Sequence, residues 1–141
     1  MREIILDTET TGLDPKMGHR LVEIGAVELI NHTPTGVNYQ TYINPEKDVD
    51  PGAQEIHGLT NEFLKQHPTF GDISAEFIDF LSDSTLVIHN APFDLAFINI
   101  ELNRLGEPSI SSERVIDTLV LARKKFPGAQ ANLDALCRRF A

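Results

Sequence analysis

The sequence predicts an α/β layer fold: a mixed five-stranded sheet, three antiparallel strands then two further strands, flanked by helices. Three observations predict it. An apolar N-terminal run is followed by two alternating segments with short connections between them. A wholly apolar run of four residues, Thr85–Ile88, stands between helical patterns. The other segments space their apolar residues for one face of a helix.

The first strand is Glu3-Ile4-Ile5-Leu6-Asp7-Thr8-Glu9-Thr10-Thr11-Gly12, and Thr11-Gly12-Leu13-Asp14-Pro15 supplies turn chemistry after it. Arg20 to Ile30 reads as the second strand, with Val22, Ile24 and Ala26 alternating with Glu23, Gly25 and Val27. Asn31 to Gly36 is predicted as a turn, and Val37 to Ile43 as the third strand. The two short connections predict an antiparallel meander. Beyond the polar loop Pro45 to Pro51, short helices are expected at Ala53–His57 and Thr60–His67, with Thr60 as N-cap of the second. A longer helix from Asp72 to Ser82 gathers Ile73, Phe77, Phe80 and Leu81 on one face. Thr85–Ile88 suits the interior of a parallel or mixed sheet. The next helix starts at Ala91 with Pro92 near its first position, carries Phe97, Ile98, Leu102 and Leu105, and stops at Gly106. Arg114 to Asp117 is a brief fifth strand. Helices at Leu119–Phe126 and Asn132–Phe140 follow, parted by Pro127-Gly128. The last has Leu133, Leu136, Cys137 and Phe140 on its apolar side. A layered fold would cover the sheet with one more long helix, so the expectation is a single domain, 1–141, lacking its C-terminal helix.

Length suits one domain with a sizeable core. A net charge of −9 argues against gripping long duplexes by phosphate neutralisation, but not against holding a short strand end through metal ions. The basic runs Arg123-Lys124-Lys125 and Arg138-Arg139 are explained as well by solvated helix faces as by phosphate contacts. The one cysteine, Cys137, excludes an internal disulfide and suits packing in a reducing compartment. No apolar run reaches the roughly 18 residues of a membrane span, and the chain enters a strand at once, so a cytoplasmic protein with no membrane contact is expected.

The chemistry concentrates at two strand ends. Asp7 and Glu9 lie two apart on one strand face, with Cα atoms roughly 6.6 Å apart, while Thr8 points the other way. Paired carboxylates repel, and a hard divalent cation with a taste for oxygen ligands resolves the repulsion. The bland reading is a solvated strand end. Asp94 falls in the first turn after strand Thr85–Ile88, where its bland role is to complement the helix dipole. Three acids at two strand ends fit a site for two cations roughly 3.5–4 Å apart.

Asp7-Thr8-Glu9-Thr10-Thr11-Gly12 with His89-Asn90-Ala91-Pro92-Phe93-Asp94 resembles the first two motifs of the DEDD exonucleases. The stretches Tyr42-Ile43-Asn44-Pro45 and Ile56-His57-Gly58-Leu59-Thr60-Asn61-Glu62-Phe63-Leu64 make it similar to the proofreading (epsilon) subunits of bacterial DNA polymerase III. The resemblance implies an RNase H-like fold, two divalent cations, Mg²⁺ or Mn²⁺, and stepwise 3′→5′ release of nucleotides. It implies Asp7, Glu9 and Asp94 as metal ligands and catalytic residues. Thr8, Thr10, Leu13, His57, Asn90 and Phe93 match positions near the terminal nucleotide. Partners implied are a single-stranded or frayed DNA 3′ end and the polymerase III catalytic subunit.

The family's third motif is a histidine followed five residues later by an aspartate. Histidines here are His19, His32, His57, His67 and His89, and neither Asp117 nor Asp134 has one at that spacing. Asp117 is expected to hold a turn. Residues 1–141 alone are expected to hydrolyse poorly, since losing a general base costs about 10²–10⁴-fold. A longer protein, a truncated one, or a partner that supplies the helix would each account for the missing motif. Two other functions stay open: an RNA 3′ exonuclease of the RNase T or oligoribonuclease type, and a catalytically dead binding module. Thr10-Thr11-Gly12 and Ile56-His57-Gly58 favour the DNA enzyme.

Overall fold

Alternation along the first strand sets the architecture of the computed structural model, which describes residues 1–125. In β1 (Arg2–Thr10), Ile4, Leu6, Thr8 and Thr10 are buried, while Ile5 and Asp7 stand open on the opposite face. β1 pairs antiparallel with β2 (Leu21–Ile30), which pairs antiparallel with β3 (Thr33–Tyr42). On its other side β1 runs parallel to β4 (Thr85–Ile88), which runs parallel to β5 (Val115–Asp117). The order β3-β2-β1-β4-β5 is the expected five-stranded mixed sheet, and it seats the apolar β4 between two neighbours.

The β2–β3 hairpin departs from expectation. The turn is only Asn31-His32, both at positive φ (49° and 67°), so β3 begins four residues before the predicted Val37. Two residues with positive φ match the right-handed twist of a hairpin. Thr35-Gly36 looks like part of a turn but sits in a register shift of the ladder, with Gly36 at φ 87°. Pro34 is tolerated because β3 is an edge strand.

The core fills one face of the sheet. Ile4, Leu6, Ile24, Leu86 and Ile88 meet Phe70, Ile73, Phe77 and Leu81 of α3 (Phe70–Leu81) and Phe97, Ile98 and Leu102 of α4 (Ala91–Arg104). Burying each such side chain stabilises by about 1.5–3 kcal/mol. α3 starts two residues earlier than predicted, because Thr69 and Asp72 form a reciprocal capping box. α1 (Pro51–His57) has no buried residue, whereas α2 (Asn61–Leu64), capped by Thr60 as expected, buries Leu64 against Val22 and Val49.

Asp117 holds a turn as expected, and more. Its carboxylate accepts backbone N–H groups of Asn90 and Ala91 (both 3.0 Å) at the start of α4, and of Leu119 (2.9 Å) in α5 (Thr118–Lys125). Arg123, Lys124 and Lys125 are exposed. The expected helix 132–140, with Asp134, Cys137 and Arg138-Arg139, lies outside the described residues. No helix among the described residues is long and apolar enough to cross a membrane.

Candidate active site

The edge where β1 ends and α4 begins carries the three acids. Asp7 is exposed and Glu9 half-buried on β1; Asp94, in the first turn of α4, is only 5% exposed. Thr8 does point away from Asp7 and Glu9, and there its hydroxyl donates to Asp94 Oδ1. Burial pushes the Asp94 carboxyl up to about 7; the Thr8 hydroxyl opposes this, and the Asp7 and Glu9 carboxylates add to it. The Glu9 carboxyl is also raised, first by burial and then by Asp7, with His57 pulling the other way.

The acids are coupled through their charges, but they are not closed around a common point. Among the described residues no three His, Cys, Asp or Glu side chains stand close enough to hold a metal ion as placed. The donor set, all carboxylate oxygen with two members pushed toward the neutral form, fits a hard divalent cation.

Beside the acids lies a cleft of about 560 Å³ with two walls. One is the end of β1 and the turn after it: Thr8, Glu9, Thr10, Gly12 and Leu13. The other is α1 and its lead-in: Asp50, Pro51, Gly52, Ala53, Ile56 and His57. Phe93 of α4 also lines the cleft, its ring 5.1 Å from that of Phe97. Leu13 and Ile56, 82% and 80% exposed, put two apolar side chains on opposite walls of the one cleft.

Of the expected site residues, Thr8, Glu9, Thr10, Leu13, His57 and Phe93 meet at this cleft; Asp7, Asp94 and Asn90 lie outside its lining. Asn90 is exposed, in a left-handed conformation (φ 59°), with its N–H on Asp117. The Thr10 hydroxyl donates to the Gly12 carbonyl at 2.7 Å. His57 is engaged at both nitrogens. Leu59 N–H donates to Nδ1, so the proton sits on Nε2, which donates to the Thr10 carbonyl, both at 3.0 Å. In this state His57 is a local capping group, with no donor free for a ligand.

The second wall was largely missed from the sequence. Asp50-Pro51 sat at the end of a predicted loop, yet an acid followed by proline is the usual start of a helix. That signal extends α1 by two residues and brings Asp50 to Ala53 to the cleft.

The sequence matches the model of a family described as Exonuclease over residues 4–141. It is 57% identical to the DNA polymerase III subunit epsilon of Rickettsia felis over 99% of this chain and 62% of that protein. The Escherichia coli subunit of the same name is 44% identical over 99% of this chain and 60% of that protein. The chain thus spans about three-fifths of the length of these curated relatives. Among solved structures, exonuclease X in complex with 5′ overhanging duplex DNA superposes with a TM-score of 0.76 at 28% identity, over 98% of this chain and 72% of that one. Apo exonuclease I reaches 0.81 at 18% identity, over 95% of this chain and 34% of that one, which establishes the RNase H-like fold alone. A motif pair at two strand ends, a matching sheet and a family match across nearly all residues converge: this chain belongs to the exonuclease family.

Proposed function

We propose that residues 1–141 form one exonuclease domain, a 3′→5′ exodeoxyribonuclease that removes mispaired nucleotides for a replicative DNA polymerase. The observation that carries this is Asp94. A carboxyl raised to about 7 by burial, Asp7 and Glu9 is held by Thr8, and Thr8 lines a cleft whose exposed apolar side chains suit a nucleotide's base and sugar. The name shared by the 57% and 44% identical relatives supports the proofreading role.

Enzymes of this family use divalent metal ions, and Asp7, Glu9 and Asp94 would hold two, Mg²⁺ or Mn²⁺. Bound there, they would polarise the scissile phosphate and offset the charge that develops on it. The chain's own residues bind and orient the strand end. Thr8 orients the Asp94 carboxylate through its hydroxyl. Leu13, Phe93 and Ile56 grip the terminal base and sugar without reading sequence. Thr10, Asn90 and His57 face the sugar and phosphate, His57 by turning its Nε2 proton from the Thr10 carbonyl to the ligand. The partners are a single-stranded or frayed DNA 3′ end and a DNA polymerase III catalytic subunit, in the cytoplasm. A net charge of −9 suits an enzyme that holds only a strand end.

The test follows 5′-labelled single-stranded DNA and RNA of one sequence with Mg²⁺ or Mn²⁺. DNA should shorten stepwise from its 3′ end, and a chelator should stop it. Faster shortening of RNA would replace the substrate, and DNA and RNA left intact even by a chain that carries the third motif's histidine and aspartate would leave a binding module.

A further inference from the structure

α1 supplies half of the cleft but buries no residue fully; its apolar hold on the core is the half-buried Ala53 against the Val22, Val49 and Leu64 cluster. Polar contacts to the β1 wall add to that hold. Asp50 N–H donates to the Thr11 carbonyl at 2.9 Å, and His57 donates to the Thr10 carbonyl. The Asp50 side chain is the anomaly. Aspartate at an N-cap ordinarily accepts the helix's own N–H groups, yet this one makes no such bond. Its Oδ2 lies 3.3 Å from His19 Nε2 instead.

His19 stands between the walls. Its Nδ1 is 2.9 Å from Thr11 Oγ1, whose hydroxyl also accepts Arg20 N–H at 3.0 Å. One proton arrangement satisfies every group: Thr11 O–H donates to Nδ1, and Nε2–H donates to the Asp50 carboxylate. The ring covers Gly12 so closely that a Cβ there would fall 2.5 Å from three ring atoms. His19 therefore touches both lips of the cleft, Gly12 and Asp50, without lining it.

We infer that His19 is a positioning residue, a latch that fixes the α1 wall against the β1 wall through Thr11 and Asp50 and so sets the width of the nucleotide cleft. The inference deepens the exonuclease proposal and rests on it for the meaning of the cleft.

Steady-state kinetics on single-stranded DNA with the full chain, paired with amide hydrogen exchange, test it. His19→Ala should raise KM about tenfold while kcat stays within about twofold, because the grip loosens and the acids do not move. Exchange at Gln54 and Gly58, whose N–H groups close the turns of α1, should accelerate about tenfold, with α3 unchanged. Glutamine can present an N–H near the Nε2 position and asparagine cannot reach Asp50, so His19→Gln should restore KM and His19→Asn should not. Unchanged KM and exchange in His19→Ala overturns the latch. So does lower kcat at constant KM with faster exchange across α3, the mark of general destabilisation. If the unaltered chain degrades no nucleic acid, the α1 exchange alone decides whether His19 holds that wall.

Discussion

The two walls of the cleft are built on different principles. Thr8 and Thr10 of the β1 wall are each 7% exposed, they pair with Ile24 and Leu21 of β2, and their hydroxyls are spent inside the protein. The α1 wall has no fully buried residue and is tied down by Ala53 on the Val22, Val49 and Leu64 cluster and by a few polar contacts. Chemistry is thus placed by the core, and grip is placed largely at the surface. For the exonuclease proposed above, that division would suit a site that accepts any terminal base.

Variants on the two walls can break this contrast. The largest effect should come from Asp7→Ala, which removes an exposed carboxylate from the acid cluster. Single-turnover hydrolysis should fall roughly a thousandfold or more with little change in melting temperature; a loss of only a few-fold would move the chemistry elsewhere. Next is Phe77→Ala, behind the β1 wall. Phe77 is fully buried, so urea unfolding should show a loss of about 3–5 kcal/mol. A loss under about 1 kcal/mol would mean that this core does not support the wall.

Asp94→Asn should separate function from stability. The folded carboxyl is raised to about 7 from an ordinary 3.8, so between those values the folded state holds the proton more tightly than the unfolded one. The stability this lends is present below about 3.8 and is lost as pH climbs through about 7. Without divalent ions, the substitution should therefore gain ~2–3 kcal/mol at pH 8 and little at pH 4, while abolishing hydrolysis. An equal gain at both pH values would show that the carboxyl is not strained by burial. The smallest effect is Ile56→Ala on the α1 wall. Being 80% exposed, it should change stability by under about 0.5 kcal/mol yet raise KM several-fold.

The same contrast explains what the sequence could reveal. The β1 wall was legible because alternation along Ile4, Leu6 and Thr8 announces a half-buried strand and its terminal acids stand out against an apolar run. Asp94 was legible through proline and acid at a helix start. The α1 wall was legible only in part: a short helix at Ala53–His57 and His57 itself were expected, but a seven-residue helix with no fully buried residue gives no periodicity to show that Asp50 to Ala53 line a cleft. Thr35-Gly36 misled for a related reason, since bulge and turn share residue preferences and only register tells them apart. Nor did any local pattern tie His19 to Asp50; their contact exists only after the sheet is assembled.

Asp117 bears on how the site comes into being. Its carboxylate joins the start of α4 to β5 across 27 residues of chain, so the turn that carries Asn90 and leads to Asp94 is pinned only when β5 has docked beside β4. A contact that spans so much chain is entropically late, whereas the β2–β3 hairpin is local and closes early. The order of assembly is then meander first and armed site last. A chain still emerging from the ribosome would carry Asp7 and Glu9 in place well before Asp94 could join them.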